Sequence, residues 1–124
     1  MTRENAGRRF KASEPTYGVL NCLRDWEILI SRMEEGRPRQ ERYMVHVYLN
    51  DLDVRGSIED FLDDMPSSLR SKVGRCLEQL DARFRAVTRE DGGAELSQYS
   101  RPLAEGREVR WWWTRRPIEL PPGW

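Results

Sequence analysis

Between Ser67 and Arg89 the chain places Leu69, Val73, Cys76, Leu77, Leu80, Phe84 and Val87 at steps of three and four residues. That period fits a helix with one apolar stripe and not the two-residue alternation of a half-buried strand. Arg70, Lys72, Arg75, Glu78, Asp81, Arg83, Arg85 and Arg89 take the positions between. Within this run the spacing of Asp81 and Arg85 predicts an i,i+4 ion pair. A stripe of this length must be covered by another element. Thr16–Glu35 supplies a candidate, with Val19, Leu20, Leu23, Trp26, Ile30 and Met33 at the same steps. Pro15 suits the start of that helix and Gly36 its end. Two long amphipathic helices set the fold class as mainly α.

The segments between and after them are less regular. Residues 40–55 contain the run YMVHVYL (43–49), rich in β-branched and aromatic side chains, which suits a strand. Tyr43 with Val47, Met44 with Tyr48 and Val45 with Leu49 are also i,i+4 pairs, and no turn dipeptide follows. The helical reading is preferred, with the strand left open. Gly56 and Ser57 read as punctuation, with Ser57 as the N-cap of a short helix carrying Ile58, Phe61, Leu62 and Met65, and Asp60 in the manner of a capping box. Asp91-Gly92-Gly93 reads as the end of the long helix. Residues 106–117 read as a short extended piece in which Trp111 and Trp113 share one face and Trp112 takes the other. The expected architecture is a compact domain of three to four helices with an irregular or short β C-terminal segment. Residues 1–13 (MTRENAGRRFKAS) are expected to be a disordered arm, 14–117 a single helical domain, and 118–124 a Pro-rich tail.

A chain of 124 residues can bury a core without disulfides or metals. No apolar run approaches the roughly 18 residues a membrane span needs. The N-terminal residues are polar and basic with no apolar signal core, which predicts cytoplasmic residence. Cys22 and Cys76 lie among apolar neighbours on helical patterns and read as buried, reduced thiols. Nineteen of the 21 cations are arginines, a side chain suited to bidentate carboxylate contacts and to stacking on aromatics.

Charge is distributed unevenly. Residues 43–66 hold six carboxylates, Asp51, Asp53, Glu59, Asp60, Asp63 and Asp64, against the single cation Arg55. The segments on either side are net positive, and the whole chain has zero net charge. Such polarity speaks of partners and encounter rates rather than of fold. Asp63 and Asp64 stand near a helix C-terminus, where the dipole disfavours anions, so they need a cationic neighbour or a reason outside folding.

Catalytic and metal patterns are absent from the sequence. Asp51-x-Asp53 opens like a calcium loop and Gly56 stands at its sixth position, but position five is Arg55 and position twelve is Leu62. No Gly-x-Ser-x-Gly elbow, phosphate loop or Cys-x-x-Cys occurs. His46 is the single histidine and reads as a half-buried side chain. The chain is therefore expected to be no enzyme, with no cofactor and no metal. Trp111-Trp112-Trp113 reads first as core. Beside Arg110, Arg115 and Arg116 it also has the composition of an interface hot spot. A base-stacking role is disfavoured by the neutral net charge.

The run YLNDLDVRGSIEDFL (48–62), the helix carrying Leu77, Leu80-Asp81, Phe84 and Thr88, and the closing WWWTRRP (111–117) resemble small bacterial immunity proteins encoded beside polymorphic, contact-dependent-inhibition-type toxins. The resemblance spans about residues 43–117 and transfers no catalytic residues. It implies binding and neutralisation of a cognate toxin domain, with a nuclease as one such target. Charge agrees, because an acidic ridge can occupy a basic substrate cleft. The expected contact residues are Asp51, Asp53, Glu59, Asp60, Asp63, Asp64 and Trp112. The alternative is a nucleic-acid-binding regulator that uses the arginine-rich helix Ser67–Arg89, and a third reading is a self-associating module. The sequence leaves the oligomeric state open.

Overall fold

The computed structural model describes residues 15–36 and 43–124. The N-terminal arm expected over 1–13 lies outside the described residues. Three long helices make up most of the fold: α1 (Pro15–Glu34), α2 (Val45–Asp63) and α3 (Ser67–Val87). A two-stranded antiparallel ribbon follows, β1 (Thr88–Glu90) with β2 (Arg115–Pro117), in the register Thr88 to Pro117. Between the strands run a 3-10 turn at Leu96–Gln98, the single helical turn α4 (Arg101–Ala104) and a second 3-10 turn at Trp111–Thr114. The domain is mainly helical with a short β segment near its C-terminus, as the sequence indicated.

Helix α1 packs against both α2 and α3. It buries Val19, Leu23, Trp26, Leu29 and Ile30. Leu20 falls off that stripe and stands 57% exposed, whereas Leu29, one turn ahead of Met33, goes inside. Helix α3 buries Val73, Leu77, Leu80 and Phe84, four of the seven stripe residues. Cys76 lies at the stripe's edge and is exposed, and Cys22 is half-buried, so the two thiols are not the pair of core residues their neighbours suggested. Trp26 and Phe84 join the two stripes with ring centroids 4.6 Å apart. On the outer side Arg83 of α3 donates to both oxygens of Glu34 on α1, at 2.9 and 2.8 Å.

Residues 45–63 form one continuous helix, which resolves the helix-or-strand ambiguity over 45–55, leaves 43–44 outside the helix, and removes the break expected at Gly56-Ser57, while 40–42 lie outside the described residues. Ser57 caps nothing. Its Oγ donates back to the Asp53 carbonyl at 3.4 Å, the in-helix alternative open to serine. The helix continues because Tyr48, Leu52, Arg55 and Ile58 form one buried stripe through the glycine. A different glycine sets the helix spacing. A Cβ on Gly18 would stand 2.5 Å from Phe61 Cζ, so α1 and α2 approach closely only because Gly18 has none. The C-terminal end of α2 is capped by Arg70, which donates to the carbonyls of Leu62 at 3.0 Å and Met65 at 2.8 Å.

The long helix ends at Val87, and the strand Thr88–Glu90 intervenes before Asp91-Gly92-Gly93 turns the chain. Gly92 and Gly93 take φ of +70° and +89°, and both Asp91 carboxylate oxygens accept backbone N–H bonds, from Gly93 and Glu95. The Trp triplet is a 3-10 turn rather than an extended strand, and β2 begins only after it. Tyr48 on α2 donates to the Arg115 carbonyl at 2.8 Å, fixing the ribbon to the helices. The segment after Pro117, set apart in the sequence as a tail, folds back. Trp124 packs on Tyr48 and donates from its indole to the Tyr43 carbonyl at 2.7 Å.

Candidate functional site

The acidic block is best understood from its one cation. Arg55 stands three residues after Leu52 and three before Ile58, on the stripe that α2 turns inward, and it is 4% exposed. A guanidinium at that depth needs partners. Asp81, on the inward face of α3, supplies a bidentate contact: Arg55 Nε donates to Oδ1 at 3.0 Å and Nη2 to Oδ2 at 2.9 Å. Nη1 donates to Glu59 at 2.8 Å. The Trp26 indole donates to the same Asp81 Oδ1 at 3.1 Å, so three helices meet on one carboxylate. The Arg55 guanidinium lies 4.6 Å from the Trp112 ring centroid and 5.8 Å from that of Trp111. Burial works against the charge on Arg55. The hydrogen bonds and charges of Asp81 and Glu59 outweigh it and hold the pKa above its ordinary value.

Asp81 therefore pairs with Arg55 and not with Arg85, as its helical spacing suggested. Arg85 turns to the Trp111 ring instead, 4.0 Å from its centroid. No helical spacing links positions 55 and 81, so the sequence carries no direct signal of this pair. The one available sign was an aspartate and an arginine each sitting on an apolar stripe.

Withdrawal of Arg55 sorts the six carboxylates into two groups. Glu59 is half-buried and held by Arg55. Asp51 is half-buried and accepts the Tyr43 hydroxyl at 2.5 Å. Its burial pushes the carboxyl above its ordinary 3.8, with the Tyr43 hydrogen bond and Arg32 opposing. These two are engaged inside the fold. Asp53, Asp60, Asp63 and Asp64 are exposed. The spacing of 53, 57 and 60 is one helical face, while Asp63 is the last residue of the helix and Asp64 its C-cap. Asp60 has a loose neighbour, Arg110, at 3.7 Å, and both side chains are mostly solvent-facing.

That face borders a groove of about 490 Å³. Asp53, Gly56, Ser57 and Asp60 form the α2 wall, and Val109, Arg110, Trp112 and Trp113 form the other. Trp112, expected as a contact residue, is 2% exposed. The 3-10 turn carries its ring into the core over Arg55, so it cannot act as a protruding anchor and offers the groove only an edge. Its indole Nε1 is buried and has no hydrogen-bond partner among the described residues. His46, expected half-buried, is exposed near Tyr99, with ring centroids 6.4 Å apart. Among the described residues no group of three or more His, Cys, Asp or Glu side chains is placed to hold a metal ion, and no helix is long and apolar enough to cross a membrane.

Comparison with protein-family models, curated proteins and solved structures finds no match to this chain.

Proposed function

We propose that this chain is an immunity protein that binds and neutralises a cognate bacterial toxin domain, acting by contact and not by catalysis, with the exposed acidic face of α2 as its contact surface. The observation that supports this reading is the sorting of charge along α2. The single cation of the block is buried, and Asp53, Asp60, Asp63 and Asp64 remain exposed along α2 and at its C-cap. A face of one sign speeds encounter with a partner of the other and fixes its orientation. That the partner is a toxin domain is what the resemblance of 48–62, of the helix carrying Leu77, Leu80-Asp81, Phe84 and Thr88, and of 111–117 implies, and a basic substrate cleft is the surface such a face would complement.

The competing nucleic-acid reading loses support from the positions of the α3 arginines. Arg70 caps α2, Arg83 clamps α1 and Arg85 stacks on Trp111. These three are committed to this chain's own fold and do not form a free basic stripe.

The test is capture of the partner by the tagged chain from its native lysate at low salt, with mass spectrometry. One stoichiometric polypeptide, the C-terminal domain of a large secreted protein, is expected. Its toxicity on expression should be relieved by co-expression of this chain. Recovery of nucleic acid, or of this chain alone, refutes the reading.

A further inference from the structure

We propose that the groove between α2 and the Trp111–Thr114 turn receives an arginine side chain of the partner protein, and that Arg110 is its resident occupant until the partner displaces it. This rests on the partner-binding reading above and names the chemistry of the contact.

Three features of the groove support this. The first is its lining. Carboxylates of Asp53 and Asp60 stand on one wall and the indoles of Trp112 and Trp113 on the other. A planar cation suits both, by charge pairing with the carboxylates and by contact with the indoles. The second is Arg110 itself. Its guanidinium is 5.7 Å from the Trp112 ring centroid and 3.7 Å from Asp60 Oδ1. That is the position a guanidinium takes in this groove, held by contacts too long and too exposed to resist a competitor.

The third feature is the α2 wall beside Trp112. Trp112 Cζ2 lies 3.7 Å from where a Gly56 Cβ would stand. Glycine inside a helix weakens it. Here neither a positive φ nor a close approach requires glycine, because a Cβ would make only ordinary contact. Its effect is to leave this stretch of the groove wall without a side chain.

The probe is a blocked tri-arginine peptide titrated into the full chain, with the tryptophan indole N–H signals followed by NMR. The Trp112 and Trp113 signals are expected to move saturably, and the citrulline counterpart, which keeps the shape and loses the charge, is expected to leave them still. Two variants should act in opposite directions. Arg110→Gln removes the resident cation and should tighten peptide binding by about three- to tenfold, the scale of one exposed ion pair with a cation–π contact. Gly56→Ala places a methyl in the groove and should weaken binding by about threefold or more. Arg110 is exposed, so its variant keeps the fold. Movement confined to the amides of Asp60–Asp64, equal binding of the citrulline peptide, or looser binding by Arg110→Gln overturns the proposal. Capture of a toxin whose affinity ignores both variants removes the groove and keeps the inhibitor reading. Saturable peptide binding without a captured toxin keeps the groove and removes the inhibitor.

Discussion

Asp81→Ala is the substitution the structure predicts to be most costly. The carboxylate accepts three hydrogen bonds, two from Arg55 and one from the Trp26 indole. Removing it leaves a guanidinium that is 4% exposed with one remaining anionic partner, Glu59. Breaking a buried ion pair from one side costs about 3–5 kcal/mol. Glu59 keeps one contact and favours the lower end, while the orphaned indole N–H adds about 1 kcal/mol. The expected loss is about 3–4 kcal/mol, a large share of the ~5–15 kcal/mol available to a domain of this size. Urea unfolding followed by tryptophan fluorescence measures it as a fall in midpoint at constant slope. The double variant Arg55→Met/Asp81→Leu removes both charges and fills the space with apolar atoms, so it should be more stable than Asp81→Ala alone. A double-mutant cycle on the pair should return a coupling of about 2 kcal/mol or more. An Asp81→Ala loss below about 1 kcal/mol, or additive single substitutions, refutes the account of Arg55 as a cation held by the core.

Other outcomes follow from the same coordinates. Gly18→Ala should destabilise by about 1–2 kcal/mol because its Cβ meets the Phe61 ring at 2.5 Å, whereas Gly74→Ala, with nothing within 4 Å, should stabilise by about 0.5–1 kcal/mol; thermal unfolding of the pair reads both signs. Burial holds the phenols of Tyr43 and Tyr48 above their ordinary value of 10. Above that pH the unfolded chain releases these protons and the folded chain retains them, so stability should fall as pH rises beyond about 10. Absorbance titration should show both phenols ionising only together with unfolding. Changing Asp60, Asp63 and Asp64 to lysine should leave the circular dichroism spectrum intact and slow association with the captured partner by about tenfold or more at low salt. An unchanged association rate would remove the acidic face from the contact.

Periodicity made the helices legible. Trp26, Leu77, Leu80 and Phe84 went inside because a 3.6-residue stripe leaves little choice once two such stripes must cover each other. What periodicity could not supply was the meaning of an interruption. Gly56-Ser57 looks like a boundary in one dimension, yet the buried stripe Leu52, Arg55, Ile58 runs across it, and tertiary packing overrides local propensity. Arg55 was the harder case. Its place on an inward face is a matter of phase, which could be counted, but its partner lies 26 residues away on another helix. The Trp triplet differs from its sequence pattern in conformation more than in burial. Trp112 is inside and its neighbours half-buried, as alternation would have it, although a 3-10 turn and not a strand puts them there.

Trp112 is where the core and the candidate surface meet. The ring stacks near Arg55, whose guanidinium is fixed by Asp81 and Glu59, and its edge forms the floor of the groove that Arg110 occupies. A wall held by a buried, hydrogen-bonded cation has little freedom to relax when the groove is empty. A partner side chain then enters a site whose ordering has already taken place, which lowers the entropic cost of binding. The same connection makes the surface sensitive to the interior. Asp81→Asn preserves the shape of the side chain but removes the charge that orients Arg55, and the Trp112 ring loses its fixed support. Arginine-peptide binding should therefore weaken in Asp81→Asn although no atom of residue 81 lines the groove. The Trp112 indole N–H signal should also broaden before any peptide is added. If that signal stays sharp and the affinity is unchanged, the groove is ordered by the 3-10 turn alone, and the ion pair serves the stability of the fold without serving its contact surface.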